Sequence, residues 1–319
     1  MVGRFLLGLC LLGVATATAA EVRSELPVRE VDLSNGTRRY VVDVQINGKQ
    51  VEAGLDTGST GLRVLPRALS PDAGSVGGQE VSYFYTSGTR FHGRAIRVPV
   101  SIGGIPGDIR LMRIDRLDCT PEQPRCPAAR IDPTRFGIQG DGLPGEGFAA
   151  ILGIGLKPDA VQNPLEQLGV RRWIVELPMP GSNIAGRLIL NPGDAEIAGY
   201  KRVSLIGDGN LLPGCLVAAS PHSSICGDAL LDTGAPGIRI VTDHTIAPWP
   251  QGQAAEIAVG GDARLTIPIQ IGRRDQASAM FVVSRPGADP PRISFGIAPY
   301  FRWSVLYDAS ARQIGLRGR

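Results

Sequence analysis

The chain has 319 residues, 33 basic and 30 acidic, a formal net charge of +3 and a hydrophobic share of 43%. That size and apolar content suit about two ordinary domains with real cores and exclude disorder. With no basic run and no aromatic–basic interleaving, nucleic acid is a poor partner. The 42 glycines and 25 prolines favour turns and short strands over long helices.

Residues 1–20 read as an export signal. Arg4 supplies the positive start, Phe5–Val14 the apolar run and Ala15–Ala20 the small residues before cleavage after Ala19 or Ala20. The run is too short to span a bilayer, and Leu9 before Cys10 is a poor match to a lipid-anchor site, so no membrane anchor is expected. Export, periplasmic or secreted, leaves Cys119, Cys126, Cys215 and Cys226. An even number in an oxidising compartment predicts two disulfides, with local pairing Cys119–Cys126 and Cys215–Cys226. Neither spacing is Cys-x-x-Cys, and His92, His222 and His244 lie far apart without evident partners, so no metal site is expected.

Alternating or β-branched runs at Tyr40–Ile46, Ala95–Ile102, Gly107–Ile114, Arg187–Leu190, Ala255–Val259, Leu265–Ile271 and Met280–Val283 predict an all-β chain. Helix is confined to a short segment near Pro164–Leu168, after a turn at Asp159–Gln162. A turn-rich stretch, Pro178–Ser182, places a boundary between residues 21–180 and 181–319.

A ten-residue pattern, Leu-Asp-Thr-Gly-x-x-Gly-(Leu/Ile)-Arg-(Val/Ile), is written twice. Leu55-Asp56-Thr57-Gly58-Ser59-Thr60-Gly61-Leu62-Arg63-Val64 recurs as Leu231-Asp232-Thr233-Gly234-Ala235-Pro236-Gly237-Ile238-Arg239-Ile240, 176 residues on (232 − 56). Each copy is followed by an apolar strand ending in glycine, Ile151-Leu152-Gly153 and Ser294-Phe295-Gly296. The same order in both halves predicts two related β-rich lobes bringing two aspartates to one axis.

With those motifs, the chain from about residue 38 onward resembles the pepsin-like, bilobal aspartic peptidases. The two Asp-Thr-Gly loops resemble the family's active-site loops, and the two apolar-apolar-Gly segments resemble those that cross beneath them. Tyr85-Thr86-Ser87-Gly88-Thr89 looks like the flap hairpin, with Tyr85 (or, in a slipped register, Tyr83) at the tyrosine position and Gly88 at the tip. Tyr300–Asp308 and Ile314–Leu316 are similar to the family's last strands. The resemblance implies an endopeptidase acting on an extended peptide or unfolded protein, without cofactor or metal, and as a monomer because both aspartates lie on one chain.

Elementary chemistry explains those residue types. Two carboxylates a hydrogen bond apart cannot both ionise cheaply, so Asp56 and Asp232 would share one proton over a wide pH range. The ionised member takes a proton from water and the protonated member binds the carbonyl oxygen. Gly58 and Gly234 permit tight turns, and Thr57 and Thr233 can brace the opposite loop. The resemblance gives Ser59 a hydrogen bond to the outer oxygen of Asp56, whereas Ala235 has no hydroxyl for Asp232. One donor fewer should raise that pKa.

Arg63 and Arg239 each lie seven residues after an aspartate (63 − 56, 239 − 232) and read as ion-paired or snorkelling strand residues, with a pair facing substrate side chains or neighbouring carboxylates as the alternative. Arg63 stands where eukaryotic relatives carry Trp, and Ile297 where many carry Asp. With the short leader Glu21–Thr37, too lean for an inhibitory prosegment, these departures point to a bacterial branch. No Gly-x-Ser-x-Gly elbow supports a serine hydrolase. The rival reading is a peptidase-like protein that binds peptides in the cleft without turnover.

Overall fold

The computed structural model describes residues 22–70, 78–219, 223–247, 249–261 and 265–319. The export signal and His222 lie outside the described residues. The described chain is all-β, in two sheets.

Its strands, in chain order, are β1 (Ser24–Asp32), β2 (Arg38–Ile46), β3 (Lys49–Asp56), β4 (Thr60–Val64), β5 (Gln79–Phe84), β6 (Thr89–Ile102) and β7 (Ile105–Cys119). Then come β8 (Ala150–Ile154), β9 (Arg172–Glu176), β10 (Gly186–Leu190), β11 (Lys201–Ser204), β12 (Leu212–Ala218), β13 (Ser223–Leu230) and β14 (Ile238–Thr242). The last are β15 (Ala254–Val259), β16 (Leu265–Gln270), β17 (Met280–Ser284), β18 (Arg292–Ser294), β19 (Trp303–Asp308) and β20 (Gln313–Gly318). All seven runs read as strands from the sequence coincide with these elements, the Leu265–Ile271 run passing the end of β16 by one residue.

Thirteen strands form one sheet, ordered β11-β20-β19-β9-β10-β1-β2-β3-β8-β4-β7-β6-β5, and seven form the other, β16-β15-β12-β13-β18-β14-β17. Sheet membership does not follow chain order. Strands β10, β11, β19 and β20, all beyond residue 180, lie in the larger sheet with β1–β9. Glu21–Thr37, taken as a leader to the first strand, itself supplies β1, which is paired to β10 and β2.

Local chemistry accounts for the elements. In β6, buried Phe91, Val98, Val100 and Ile102 alternate with more exposed His92, Arg97, Pro99 and Ser101, the period-two signature of a one-faced strand. β8 is Ala-Ile-Leu-Gly-Ile and buried throughout, as expected of a strand paired on both edges and covered on both faces. The short helix α1 (Pro164–Gln167) opens with proline, and the Asn163 side chain caps it by accepting from Leu165 N at 2.8 Å. A second short helix, α2 (Asp194–Ile197), has no apolar periodicity and was not foreseen. Tyr300 and Phe301, expected in a strand, sit in a 3₁₀ turn over Ala298–Phe301, with Pro299 fixing the early backbone.

Both expected disulfides form. Cys215 and Cys226 are direct cross-strand partners on β12 and β13, and Cys119–Cys126 closes a loop after β7. One large apolar core runs from Leu26 to Leu316 through both sheets. A smaller one, with Phe91, Ile114, Phe136 and Ile151, lies under the β5–β6 hairpin.

Candidate active site

Asp56 ends β3 and pairs in parallel with Gly153 of β8, while β8 also runs antiparallel to β4 just after the loop. The second copy repeats this layout. β18 is parallel to β13, with Leu230 opposite Ser294, and antiparallel to β14, with Arg239 opposite Ser294. Each Asp-Thr-Gly loop therefore leaves one strand, turns, and returns on the far side of a crossing strand. Gly153 and Gly296 sit where a side chain would meet the loop: a Cβ on Gly296 would lie 2.7 Å from Ala235 O, and one on Gly153 2.8 Å from Ser59 Oγ.

The two loops face each other and are tied by reciprocal bonds. Thr57 N donates to Thr233 Oγ1 and Thr233 N donates to Thr57 Oγ1, both at 3.0 Å. Each hydroxyl then donates to a carbonyl of the opposite strand, Thr57 to Leu231 O at 2.9 Å and Thr233 to Leu55 O at 2.8 Å. This bracing sets each loop against the opposite carboxyl, close enough for the Asp56 charge to act on Asp232. The glycines are obligatory here, because a Cβ on Gly58 would overlap the Asp232 carboxyl and one on Gly234 would lie 2.7 Å from Asp56 Oδ1.

The carboxyls are not equally supplied with donors. Asp56 accepts from Gly58 N at 2.8 Å, Ser59 N at 3.1 Å and Ser59 Oγ at 2.7 Å. Asp232 accepts from Gly234 N at 2.9 Å and from Ser294 Oγ at 3.2 Å. Ala235 N points elsewhere, to the backbone oxygen of Asp232. Burial, then the neighbouring Asp56 charge, push the Asp232 carboxyl up to about 7. Fewer donors and a like charge favour its protonated form.

Supports that the sequence did not single out surround this pair. Tyr300 and Tyr307 hydroxyls lie 2.5 Å apart, and Tyr300 Oη is 2.8 Å from Thr57 Oγ1. Because Thr57 gives its own proton to Leu231 O, the chain runs Tyr307 to Tyr300 to Thr57. Trp173 stacks on Tyr307. Asn210 Nδ2 holds Thr57 O at 2.6 Å. Buried Arg39 on β2 donates to Gly234 O at 2.7 Å and to Gln139 O at 3.0 Å, and pairs with Asp141. Only the pairing of distant segments reveals these roles.

Tyr85 begins the turn between β5 and β6, with Gly88 N donating to Tyr85 O at 2.8 Å and Gly88 at φ +84°. Its ring packs edge-on against Tyr83 and Phe91, and its hydroxyl is buried on the side of Ser59. The tip is fastened to the Cys119–Cys126 loop through Thr120 N to Gly88 O and Gln123 Nε2 to Thr86 O. Arg63 is fully buried, lies over the Tyr83 ring at 3.4 Å and pairs with Asp159 at 3.5 Å. That is the ion-paired strand role its sequence position suggested. Arg239 occupies the equivalent place on β14, its buried Nε without a hydrogen-bond partner among the described residues. Ile297 is buried and apolar.

His92, read as lacking a partner, lies 3.0 Å from Asp118 in a cluster with Arg90 and Arg116. His244 lies 3.4 Å from Asp243. Cross-strand register, invisible in sequence spacing, creates the first pairing. Among the described residues no group of three or more His, Cys, Asp or Glu could hold a metal ion, and no helix is long and apolar enough to cross a membrane. The chain matches no family model and no curated protein at a significant level.

Proposed function

We propose that the chain is an aspartic endopeptidase of the pepsin-like kind, with Asp56 and Asp232 as its catalytic pair. The observation that carries the reading is the reciprocal Thr57–Thr233 brace, which holds two Asp-Thr-Gly carboxyls together on one axis. A lone Asp-Thr-Gly turn has no use for such a brace. The two-lobed architecture belongs to this proposal, with the duplicated crossing-strand units as its halves.

The unequal donor sets divide the labour. Asp56, with three donors, is the ionised base. Asp232, with its raised pKa, is the acid. Water attacks the peptide carbonyl carbon while its proton passes to Asp56, and the Asp232 proton goes to the carbonyl oxygen. Collapse of the tetrahedral diol breaks the C–N bond. The amine leaves with the proton from Asp56, and a diol hydroxyl returns one to Asp232. The β5–β6 hairpin would cover an extended peptide, with Tyr83 and Tyr85 toward the pair. Two disulfides fit an oxidising, exported setting, and the periplasm suits the reading best.

Digestion of a denatured-proteome peptide library tests the proposal, with Asp56→Asn as the control and pepstatin as inhibitor. Cleavage by the native chain that both remove is expected. Equal cleavage by the variant would overturn the mechanism. Binding of peptides with no cleavage would favour the non-catalytic reading.

A further inference from the structure

The hydroxyl that the second loop lacks is present, but on another strand. At the position three residues after each aspartate the loops carry Ser59 and Ala235. On the crossing strands, Ile151 and Ser294 are equivalent: Ile151 faces Gly54 and Arg63, and Ser294 faces Leu230 and Arg239. The first half thus has a hydroxyl on the loop and an apolar crossing residue, and the second half has the reverse. Ser294 Oγ donates to Asp232 Oδ2 at 3.2 Å and accepts from Gly296 N at 3.4 Å. The incoming N–H occupies a lone pair and leaves the hydroxyl proton for the carboxylate.

We propose that Ser294 is the positioning residue of Asp232, orienting its carboxyl and setting how tightly it holds its proton, in place of the hydroxyl absent at Ala235. The proposal rests on the peptidase reading for its consequence, but not for its geometry. The titratable groups acting on Asp232 are Asp56 across the axis, Tyr83 from β5, and Tyr300 and Tyr307 from the C-terminal segment. Arg239 faces Ser294 from β14. Burial raises the three tyrosines well above their ordinary range, so they stay neutral. Ser294 is the side-chain donor that favours the ionised form of Asp232.

Removing that donor should raise the pKa of Asp232. In Ser294→Ala, the alkaline limb of kcat/KM against pH is expected to move up by about half to one pH unit. Ser294→Thr, which keeps the hydroxyl, should retain the native profile, and Ser294→Val, of the same bulk, should reproduce the Ala shift. Ala235→Thr should move the Ser294→Ala profile back toward acid, and by more than it moves the native profile. A Ser294→Ala profile that superimposes on the native one, or Thr and Val variants that shift alike, would overturn the proposal. Urea unfolding against pH follows the same proton without turnover, and the pH at which stability falls should rise in Ser294→Ala. Asp56→Asn provides the activity blank. If no activity separates from that blank yet the unfolding shift is present, the peptidase reading fails and Ser294 keeps its role. An unmoved unfolding curve in an active enzyme sinks the Ser294 proposal alone.

Discussion

The loops at Asp56 and Asp232 share a sequence, a crossing strand and half of one brace, yet they surround their carboxyls differently. Around Asp56 every donor comes from the loop itself, within three residues of the aspartate. Around Asp232 the loop gives one backbone N–H, and a strand 62 residues later gives the hydroxyl. Beneath them the difference runs the same way. Thr57 is buttressed by Tyr300, Tyr307 and Asn210, while Arg39 steadies the second loop from β2. A duplicated frame can thus bring two like groups together, and unequal neighbours can then make them act differently. Proximity alone makes the two carboxyls share a proton, and the inequality biases which of them holds it.

The severest way to break the comparison is to remove either carboxylate. Asp56→Asn and Asp232→Asn should each lower kcat/KM by at least about 1,000-fold, measured on a peptide identified from the library. Retention of activity by one of them would show that the pair does not act as a unit. Next in size is crowding of the axis. Gly58→Ala and Gly234→Ala place a methyl against the opposite carboxyl, and a loss of about 100-fold is expected for both. A mild effect in only one would mean that its partner carboxyl can withdraw.

Stability against pH separates the carboxyls without any substrate. The folded pKa of Asp232 is raised, so its favourable contribution is complete below the unfolded value of about 4 and is lost as pH rises toward about 7. Urea unfolding should therefore show stability falling across that window, with a flatter profile in Asp232→Asn. An equal slope in both proteins would place the effect elsewhere.

The braces come next. Thr57→Val orphans partners at Leu231 O, Thr233 N and Tyr300 Oη, and Thr233→Val only those at Leu55 O and Thr57 N. Losses of about 3 and about 2 kcal/mol are expected in denaturant unfolding. The smallest effect is at the tyrosines. Tyr300→Phe removes the donor to Thr57 and should cost about 1.5 kcal/mol, against about 1 kcal/mol for Tyr307→Phe, which leaves that donor in place. The reverse order would mean that the chain of protons runs the other way.

Much of this molecule was legible in its residues because the informative signals are local. Period-two alternation and β-branched runs placed seven of the strands, the cysteine spacing gave both disulfides, and the repeated decapeptide located both carboxyls. The supports were harder to read. Ser294 sat unremarked in an apolar-apolar-Gly segment, and its register between β13 and β14 alone aims it at Asp232. Tyr300 and Tyr307 read as members of the last strands until the 3₁₀ turn at Ala298–Phe301 carried Tyr300 under Thr57. Arg39 reaches Gly234, 195 residues away.

The sequence by itself determined that two Asp-Thr-Gly turns exist, that they are alike, and that one lacks a loop hydroxyl. Backbone preference and side-chain alternation act over a few residues, and the chain order records them directly. Tertiary structure decided which distant strand supplies a hydroxyl to the second carboxyl, and its burial of Asp232 beside the Asp56 charge raises the pKa of Asp232 against that donor. Donor geometry and burial depend on strand register and close packing, and both are settled only when remote segments meet.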